Sequence, residues 1–317
     1  MTRVLGSFKV RSGKRILDYR LGENLDLRKI KYFFQNSYQI KKLWKSPRHI
    51  LGILIKNKKI YFLKLSSSEG ISVVTRNEYY WNNYFNNYSL DTRYSVPKNH
   101  DNGLYENKYF YLITDYFSGK LLCETRSVYN KVTDLVGYLP HVIELSEFIQ
   151  QLPQVDFTAD KYEEVNYQVR FLSKTRSWFG DIPISISKKF NVKILLEITE
   201  KGVSELSSRP RHGDFTPWHI VKLADKRLGL IDGEHALSDG VEGYDICYLI
   251  QRVFSVLKNP NIAGDIYLRL KEKGYQTNKL KIVLAARAVG GFLDESLTDK
   301  PDYRFANSFK DWVMKLA

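Results

Sequence analysis

Cysteine is scarce in this sequence. Only two cysteines are present among the 317 residues, Cys123 and Cys247, and they lie far apart without the spacing of a metal site. This excludes a disulfide framework and a structural zinc site. A reducing compartment such as the cytoplasm is therefore expected.

Long apolar runs are also lacking. The longest, such as Ile50–Ile55, are far below the roughly 20 residues that span a bilayer. Met1–Val10 has no apolar core of the kind found in secretory signals. We expect a soluble protein and leave open a peripheral position at the inner, acidic face of a membrane. No internal repeat or low-complexity tract is visible, which favours one globular chain.

Basic residues outnumber acidic ones. Lysine and arginine total 49 against 35 aspartates and glutamates, giving a formal charge of +14. This surplus predicts attraction to phosphates, acidic lipids or nucleic acid, although a solvated basic surface explains it equally well. The 22 tyrosines and 17 phenylalanines more often fill cores than bind bases, and no nucleic-acid motif accompanies them. A nucleic-acid partner is therefore the least favoured.

The first part of the chain has the pattern of a small β-rich unit. Three β-prone runs predict an antiparallel meander: Tyr38–Trp44, Ile50–Ile55 and Ile60–Leu65. Aromatic residues at helical spacing over Ile71–Tyr88 predict one helix packed on it. Pro97–Gly103 carries turn residues, Tyr109–Phe117 predicts a buried strand, and Gly119 follows as a hinge.

Beyond residue 125 the pattern becomes helical. Six helices are predicted: Val128–Gln151, Tyr162–Trp178, Ile186–Leu206, Tyr244–Leu257, Ile262–Lys273 and Asn278–Leu297. The fold class is therefore α+β. We expect an N-terminal extension of unclear role over residues 1–36, a β-rich lobe over 37–118 and a mainly helical lobe over 119–317.

Two acidic residues flank a short predicted hairpin. Asp214 lies in the glycine-containing loop Arg211–His219, and Asp232 follows the apolar strand Leu228–Ile231. Carboxylates in these two positions can converge, where one accepts a hydroxyl proton and the other holds a divalent cation. Phosphoryl transfer requires that geometry.

The loop Arg211–His219 resembles the catalytic loop of the aminoglycoside phosphotransferase and choline kinase-like family. Its His-Gly-Asp triplet is followed by Phe-Thr-Pro-Trp, then at the family's distance by Ile231–Glu234 and by Gly243–Ile246. The resemblance covers about residues 38 to 297. It implies a two-lobed protein-kinase-like fold, with a small antiparallel β-rich N-lobe that binds the nucleotide and a larger helical C-lobe.

The resemblance also implies a role for each matching residue. Asp214 matches the catalytic base and Asp232 the magnesium-binding acid, while His212 and Asp245 match structural residues. Without the resemblance, Asp214 would be a turn aspartate and Asp232 a solvated residue at a strand end. Asp245, beside Gly243, is also a good helix cap.

In the small lobe the resemblance implies nucleotide-binding residues. Lys64 matches the lysine that pairs with nucleotide phosphates, and Glu78 on the following helix is its expected ion partner. Asp115 and Tyr116 begin the segment against which an adenine packs. An ordinary exposed lysine and helix glutamate remain the alternative for Lys64 and Glu78.

The sequence departs from the family pattern at two places. The turn Lys45–Arg48 has no glycine-rich motif, so Ser46 and Arg48 either contact phosphate through their side chains or form a plain basic turn. His219 stands where the family usually has a metal-binding asparagine. Because Mg²⁺ prefers oxygen ligands and imidazole suits softer ions, either His219 alters the metal site and allows Mn²⁺, or Glu234 supplies the missing oxygen.

The resemblance implies an ATP-dependent kinase acting on a hydroxyl of a small molecule, a sugar or a glycan- or lipid-linked acceptor, with ATP and Mg²⁺ as cofactors. The basic charge disfavours a cationic acceptor and favours an anionic or neutral one. The alternative is a catalytically impaired, kinase-like nucleotide-binding or scaffold protein. In that case His219 would mark lost metal chemistry.

Overall fold

The computed structural model describes residues 5–124, 132–157, 166–225 and 227–316. Its strands are β1 (Lys9–Ser12), β2 (Arg15–Asp18), β3 (Gln39–Lys45), β4 (His49–Lys56), β5 (Lys59–Ser66), β6 (Tyr94–Ser95), β7 (Asn99–Tyr105), β8 (Tyr109–Asp115), β9 (Gly119–Leu121), β10 (Ser208–Arg211), β11 (Ile220–Leu223), β12 (Leu228–Leu230) and β13 (Leu237–Val241). Its helices are α1 (Leu27–Phe34), α2 (Glu69–Tyr88), α3 (Thr133–Gln151), α4 (Tyr167–Asp181), α5 (Ile184–Lys189), α6 (Lys193–Gly202), α7 (Tyr244–Ser255), α8 (Pro260–Glu272), α9 (Thr277–Ser296) and α10 (Arg304–Met314). The predicted α+β class, with a β-rich part followed by a helical part, is confirmed.

A five-stranded antiparallel sheet forms the N-lobe, in the order β3-β4-β5-β8-β7. Leu63 and Leu65 of β5 are fully buried in the core of this lobe. Because successive side chains of a strand point to opposite faces, Lys64 between them points away from that core. Alternation along one strand therefore sets the direction of this lysine.

Helix α2 connects the two lobes. It begins after Ser68, whose side-chain oxygen accepts a hydrogen bond from the amide of Ile71 and caps the first turn. The helix packs on β5 and β8 of the sheet. Trp81 and Phe85, farther along α2, belong instead to the large core of the helical lobe. Sheet and helical lobe thus share one rigid element.

The C-lobe packs its helices around α9, whose central residues are almost all buried. Two small sheets lie in front of these helices. In one, β10 pairs with β13, and in the other the order is β6-β12-β11-β9, with β11 and β12 forming an antiparallel hairpin. The loops that follow β10 and β12 lie side by side, since Gly213 of the first loop packs against the backbone of His235 in the second.

Two local predictions are wrong. Pro97–Gly103 was predicted as a turn, but β7 pairs with β8 there, because the strong strand Tyr109–Asp115 supplies a template that overrides turn propensity. The predicted helix Ile186–Leu206 is interrupted at Asn191, which has a left-handed backbone with φ of 49°. The first residues of the predicted helices at 128–151 and 162–178 lie outside the described residues. In the described part of the chain, no helix combines the length and apolarity needed to cross a membrane.

The N-terminal segment, residues 5–36, contacts both lobes. Its hairpin β1-β2 packs against the start of α2, where Gly70 has no room for a side chain because a Cβ would lie 2.3 Å from the carbonyl oxygen of Asp18. At its other end, the amide and hydroxyl of Ser7 donate hydrogen bonds to the Asp181 carboxylate on α4, at 2.8 and 2.6 Å. The segment therefore bridges the N-lobe and the helical lobe.

Candidate active site

The two predicted acidic residues converge at the floor of the cleft between the lobes. One carboxylate oxygen of Asp214, one of Asp232 and a ring nitrogen of His219 all lie within 4.8 Å of one another. His219 Nδ1 is 3.0 Å from the backbone oxygen of Asp214, and its Nε2 is 3.3 Å from Asp232 Oδ2. Residues separated by the β11-β12 hairpin thus form one cluster.

Backbone geometry holds both carboxylates in place. Gly213 has a φ of 84°, and a Cβ there would meet the His235 carbonyl oxygen at 2.1 Å, so only glycine fits before Asp214. Asp232 itself is left-handed, with φ 69° and ψ 48°. This conformation is rare for residues other than glycine but is tolerated by aspartate, and it is typical of functional turns.

Asp245, at the start of α7, holds the loop Arg211–His219 in place through its backbone amides. Its buried carboxylate accepts hydrogen bonds from the amides of His212 and Gly213, at 2.7 and 2.8 Å. Burial raises the pKa of Asp245 to about 6, although the two amide hydrogen bonds act in the opposite direction. These are the contacts that the predicted structural role of Asp245 requires.

His212, the other predicted structural residue, is fully buried. Its ring packs edge-on against Trp81 of α2, with centroids 5.7 Å apart. Burial lowers the pKa of His212 to about 3, so the ring stays neutral near pH 7. The ring therefore acts as packing between the loop and α2.

Lys64 faces the cluster from the N-lobe. Its ammonium group is 2.6 Å from Glu78 Oε2, 2.8 Å from Glu234 Oε1, and in contact with Asp232 Oδ1. Burial disfavours the charged ammonium, but the three carboxylates outweigh it and raise the pKa of Lys64 well above its ordinary value. Burial raises the pKa of Glu78 to about 7 in spite of the neighbouring lysine.

Glu234 is a buried anchor for N-lobe cations. Only 1% of it is exposed, and its carboxylate contacts Arg48 at 2.8 Å, Lys64 at 2.8 Å and the ring of His49 at 3.0 Å. Burial disfavours its charge, yet these neighbours, Arg48 foremost, keep its pKa well below the ordinary value. Metal binding by Glu234 stays a prediction, and it requires at least one of these cations to withdraw.

A cavity of about 470 Å³ lies between this cluster and the N-lobe sheet. The predicted nucleotide-binding residues line it together: Lys64, Glu78, Ser46, Arg48, Asp115 and Tyr116. Asp115 also contacts the His100 ring at 2.5 Å. Apolar side chains of Leu51, Phe62 and Ile231 supply flat walls between the polar groups. A small planar ligand with a charged tail matches that distribution.

The cluster at Asp214, His219 and Asp232 fits a divalent cation. Because His219 Nδ1 donates its hydrogen to the carbonyl of Asp214, Nε2 on the Asp232 side can act as the ligand when the ring is neutral. Burial alone would lower the pKa of His219, but Asp214 and Asp232 outweigh it and the pKa is raised. A site with two carboxylate ligands suits Mg²⁺, whereas a site that also contains an imidazole nitrogen suits Mn²⁺ better than Mg²⁺.

Sequence reasoning missed two features of the site. His49 and Thr75 are buried beside Glu234, with Nε2 of the histidine 2.9 Å from the threonine hydroxyl, and neither stands in a motif. A second cavity, of about 270 Å³, adjoins Asp214 on the C-lobe side and is lined by residues from many elements. No sequence signal could find it, because distant segments build it.

The similarity to known proteins lies in structure. No family model and no curated protein sequence matches the chain. Aminoglycoside phosphotransferase APH(4)-Ia superposes with a TM-score of 0.65 at 13% identity, covering 91% of this chain and 98% of that one. Choline kinase LicA from Streptococcus pneumoniae gives 0.56 at 14% identity, covering 91% and 97%.

Spectinomycin phosphotransferase APH(9)-Ia gives a TM-score of 0.54 at 10% identity, covering 92% of this chain and 95% of that one. These alignments run over both lobes and nearly the full length of each partner. The resemblance stated from the loop Arg211–His219 is thereby confirmed at the level of the fold. The chain has the two-lobed, kinase-like fold of the aminoglycoside phosphotransferases and choline kinases.

Proposed function

We propose that this protein is an ATP-dependent phosphotransferase that acts on a hydroxyl group of a small molecule, a sugar, or a glycan- or lipid-linked acceptor. The observation that carries the proposal is the convergence of Asp214, His219, Asp232 and Lys64 at one end of the cavity below the N-lobe sheet. Structural neighbours with different acceptors share the fold, so the fold by itself does not assign the acceptor.

The nucleotide is assigned to the 470 Å³ cavity. One structural neighbour, a mutant of APH(4)-Ia, was solved as a ternary complex with ADP and hygromycin B. In this chain Lys64 and Arg48 would bind phosphate oxygens. Ser46, in the turn between β3 and β4, would donate a hydrogen bond to the nucleotide. The segment at Asp115 and Tyr116 would pack against the adenine. Both cations are oriented by Glu234 before any ligand binds.

The metal ligands are assigned to Asp232 and His219, with Asp214 next to them. A bound divalent ion neutralises the negative charge that the transferred phosphoryl group carries. Lys64 adds a second positive charge from the opposite side of the cleft. Asp214, at the end of the rigid Gly213 loop, would accept the proton of the acceptor hydroxyl as that oxygen attacks.

One residue favours a second candidate function. His219 contacts both carboxylates where the resemblance implies an oxygen ligand. A catalytically impaired nucleotide-binding or scaffold protein would retain the cavity and Lys64 but lose turnover with either metal.

Asp214→Asn tests the proposal. ADP release from ATP, measured with Mg²⁺ and with Mn²⁺, should fall about 10² to 10⁴-fold, the usual loss when a general base is removed. ATP binding measured by calorimetry should persist, because Asp214 is assigned to the acceptor and not to the nucleotide. Asp225→Asn, on the exposed β11-β12 turn, is the matched control and should behave like the parent. A parent that binds ATP without any turnover would support the second candidate instead.

A further inference from the structure

The 270 Å³ cavity reaches the side of Asp214 that faces away from the nucleotide cavity. Its lining comes from the N-terminal segment through Phe8 and Tyr19, and from helices α4, α7 and α9. Arg48 lines both cavities, so the two meet beside the cluster at the cleft floor. A hydroxyl in this second cavity can therefore approach Asp214 and the end of the nucleotide at once.

The cavity lining is strongly basic. Eight lysine or arginine side chains line it, whereas among the described residues only Asp214 and Asp294 contribute carboxylates. Some of the basic groups have acidic partners, such as Arg252, which pairs with Asp294 at 2.8 Å, and Arg170, which pairs with Asp239 at 2.5 Å. These ion pairs neutralise part of the positive charge of the lining, and the cavity keeps a net positive charge.

Two guanidinium groups in the lining make no ion pair with the acidic residues that the structure describes. Arg287 is only 4% exposed; its Nη1 donates to the Tyr244 hydroxyl at 3.1 Å and its Nε has no hydrogen-bond acceptor. Arg211 lies 3.8 Å above the ring of Tyr244, and its buried Nε also lacks an acceptor. Arg287 lies 3.9 Å above the ring of Tyr248 and 5.6 Å from that of Tyr244, so both cations are held against aromatic rings and share Tyr244.

A buried guanidinium without an anion is an unfavourable arrangement in a folded protein. Aromatic faces compensate such a charge only in part, because a ring has a quadrupole and no formal negative charge. The planar guanidinium forms its best contacts with a carboxylate or a phosphate, through paired hydrogen bonds. Arg211 and Arg287 are therefore arranged for an anionic ligand.

We propose that this cavity binds an anionic sugar, one that carries a phosphate or carboxylate group in addition to the hydroxyl that receives the phosphoryl group. The inference rests on the proposed function, since it takes Asp214 as the base. The anionic group would contact Arg211 and Arg287, and the sugar ring would lie in the part of the cavity between these arginines and Asp214. The volume of about 270 Å³, just below the roughly 300 Å³ at which small-molecule cavities begin, suits about one sugar unit.

Binding of small probes tests the proposal directly. With ADP and Mn²⁺ present at constant ionic strength, calorimetry would compare glucose 6-phosphate, glucuronate, inorganic phosphate, glucose and glucosamine. We expect the anionic probes to bind at least about ten-fold more tightly than glucose, because a hydrogen bond to a charged group is worth that factor or more. Comparison of glucose 6-phosphate with glucuronate shows whether the cavity prefers a phosphate or a carboxylate group.

Two variants locate the binding site. Arg287→Met and Arg211→Met should each weaken binding of the best anionic probe about 10- to 100-fold. Arg304→Met removes the same charge from an exposed position outside the cavity and should leave binding unchanged. Because Arg287 is buried, the Arg287→Met variant is first checked for folding. If it does not fold, Arg211→Met alone tests the location of the binding site.

The inference would be overturned by equal binding of glucose and the anionic sugars, by tighter binding of glucosamine, or by anion binding that persists in both Arg211→Met and Arg287→Met. Failure of every probe to bind the parent would overturn it as well. ADP binding to the parent is measured in the same experiment. If ADP binds and the anions do not, only the acceptor assignment fails; if ADP does not bind, the proposed function fails.

Discussion

Among single residues, His219 has the greatest chemical consequence. It contacts the carboxylates of Asp214 and Asp232 at 3.5 and 3.3 Å, so a metal at the proposed site would meet an imidazole on one side. A ring must be neutral to bind a metal, and the two carboxylates raise the pKa of His219. Metal binding at the proposed site would therefore compete with a proton.

If the proposed function holds, we expect the parent protein to be more active with Mn²⁺ than with Mg²⁺, and its metal affinity to weaken as the pH falls. His219→Asn replaces the imidazole by an oxygen ligand, so activity should shift toward Mg²⁺ and lose that pH dependence. ADP release with each metal between pH 6 and 8 measures both effects. A parent that prefers Mg²⁺ and is indifferent to the substitution would show that His219 is not a ligand.

His212 makes stability depend on pH. Its folded pKa of about 3 lies below the ordinary value of 6.5, so the unfolded chain binds one more proton between these values. The free energy of unfolding should therefore decrease on acidification through this window, by up to about 1.4 kcal/mol per pH unit for this one group.

His212→Leu tests that dependence by urea unfolding at pH 7, 6 and 5. The parent should lose stability relative to the variant as the pH falls, whatever their difference at pH 7. His141→Leu, which replaces an exposed histidine, is the control. Its free energy of unfolding should change with pH as that of the parent does. A constant difference between the parent and His212→Leu would contradict the assignment.

At the level of elements, the β1-β2 hairpin gains its position from contacts far away in sequence. Ser7 is held by Asp181 at the end of α4, and the rings of Tyr19 and His235 lie 5.6 Å apart, next to the loop Arg211–His219. Through Phe8 and Tyr19 the segment forms one wall of the proposed acceptor cavity. The role left open for residues 1–36 is therefore proposed to be that of an acceptor wall.

Asp181→Ala should loosen this hairpin without unfolding the lobes. Two hydrogen bonds to a carboxylate are lost, so we expect amide exchange in Lys9–Asp18 to quicken about ten-fold or more. Hydrogen exchange followed by mass spectrometry measures this. Glu200→Ala, which breaks the exposed pair with Arg176, is the control, and equal exchange in both variants would argue against the anchor.

At the scale of the whole molecule, the N-lobe and C-lobe meet through buried charge. Lys64 of β5 contacts Asp232 and Glu234, and Arg48 contacts Glu234, across the cleft. The ion pairs connect the sheet to the loop after β12. Breaking one partner of such a buried cluster leaves uncompensated charge and is strongly destabilising.

Lys64→Met should lower the melting temperature of the free protein and also abolish its rise with ATP. For the parent, a ligand at 100 times its Kd adds about 2.7 kcal/mol to the free energy of unfolding. Lys59→Met, on the exposed end of the same strand, should keep both the stability and the response. A normal ATP response in Lys64→Met would remove this lysine from the nucleotide site.

The sequence determined the parts that depend on local pattern. Helical spacing indicated α2, and the order of the three motif segments around Asp214, Asp232 and Asp245 indicated the fold, whereas the direction of Lys64 was left open. Each of these signals lies within a few neighbouring residues. The strand β7 and the break at Asn191 were missed, because strand pairing and packing override local propensity there.

Only the tertiary structure decided what surrounds these residues. The sequence predicted an oxygen ligand at Glu234, which stays a prediction; only folding brings Arg48, His49 and Lys64 onto its carboxylate from the other lobe. The cavity beside Asp214 likewise exists only where the N-terminal hairpin, α4, α7 and α9 meet. Net charge indicated that the protein is basic. The fold decided that buried Arg287 and half-buried Arg211, neither ion-paired with an acidic residue in the described ranges, line the cavity beside the proposed base. Contact across long sequence separations is a property of packing.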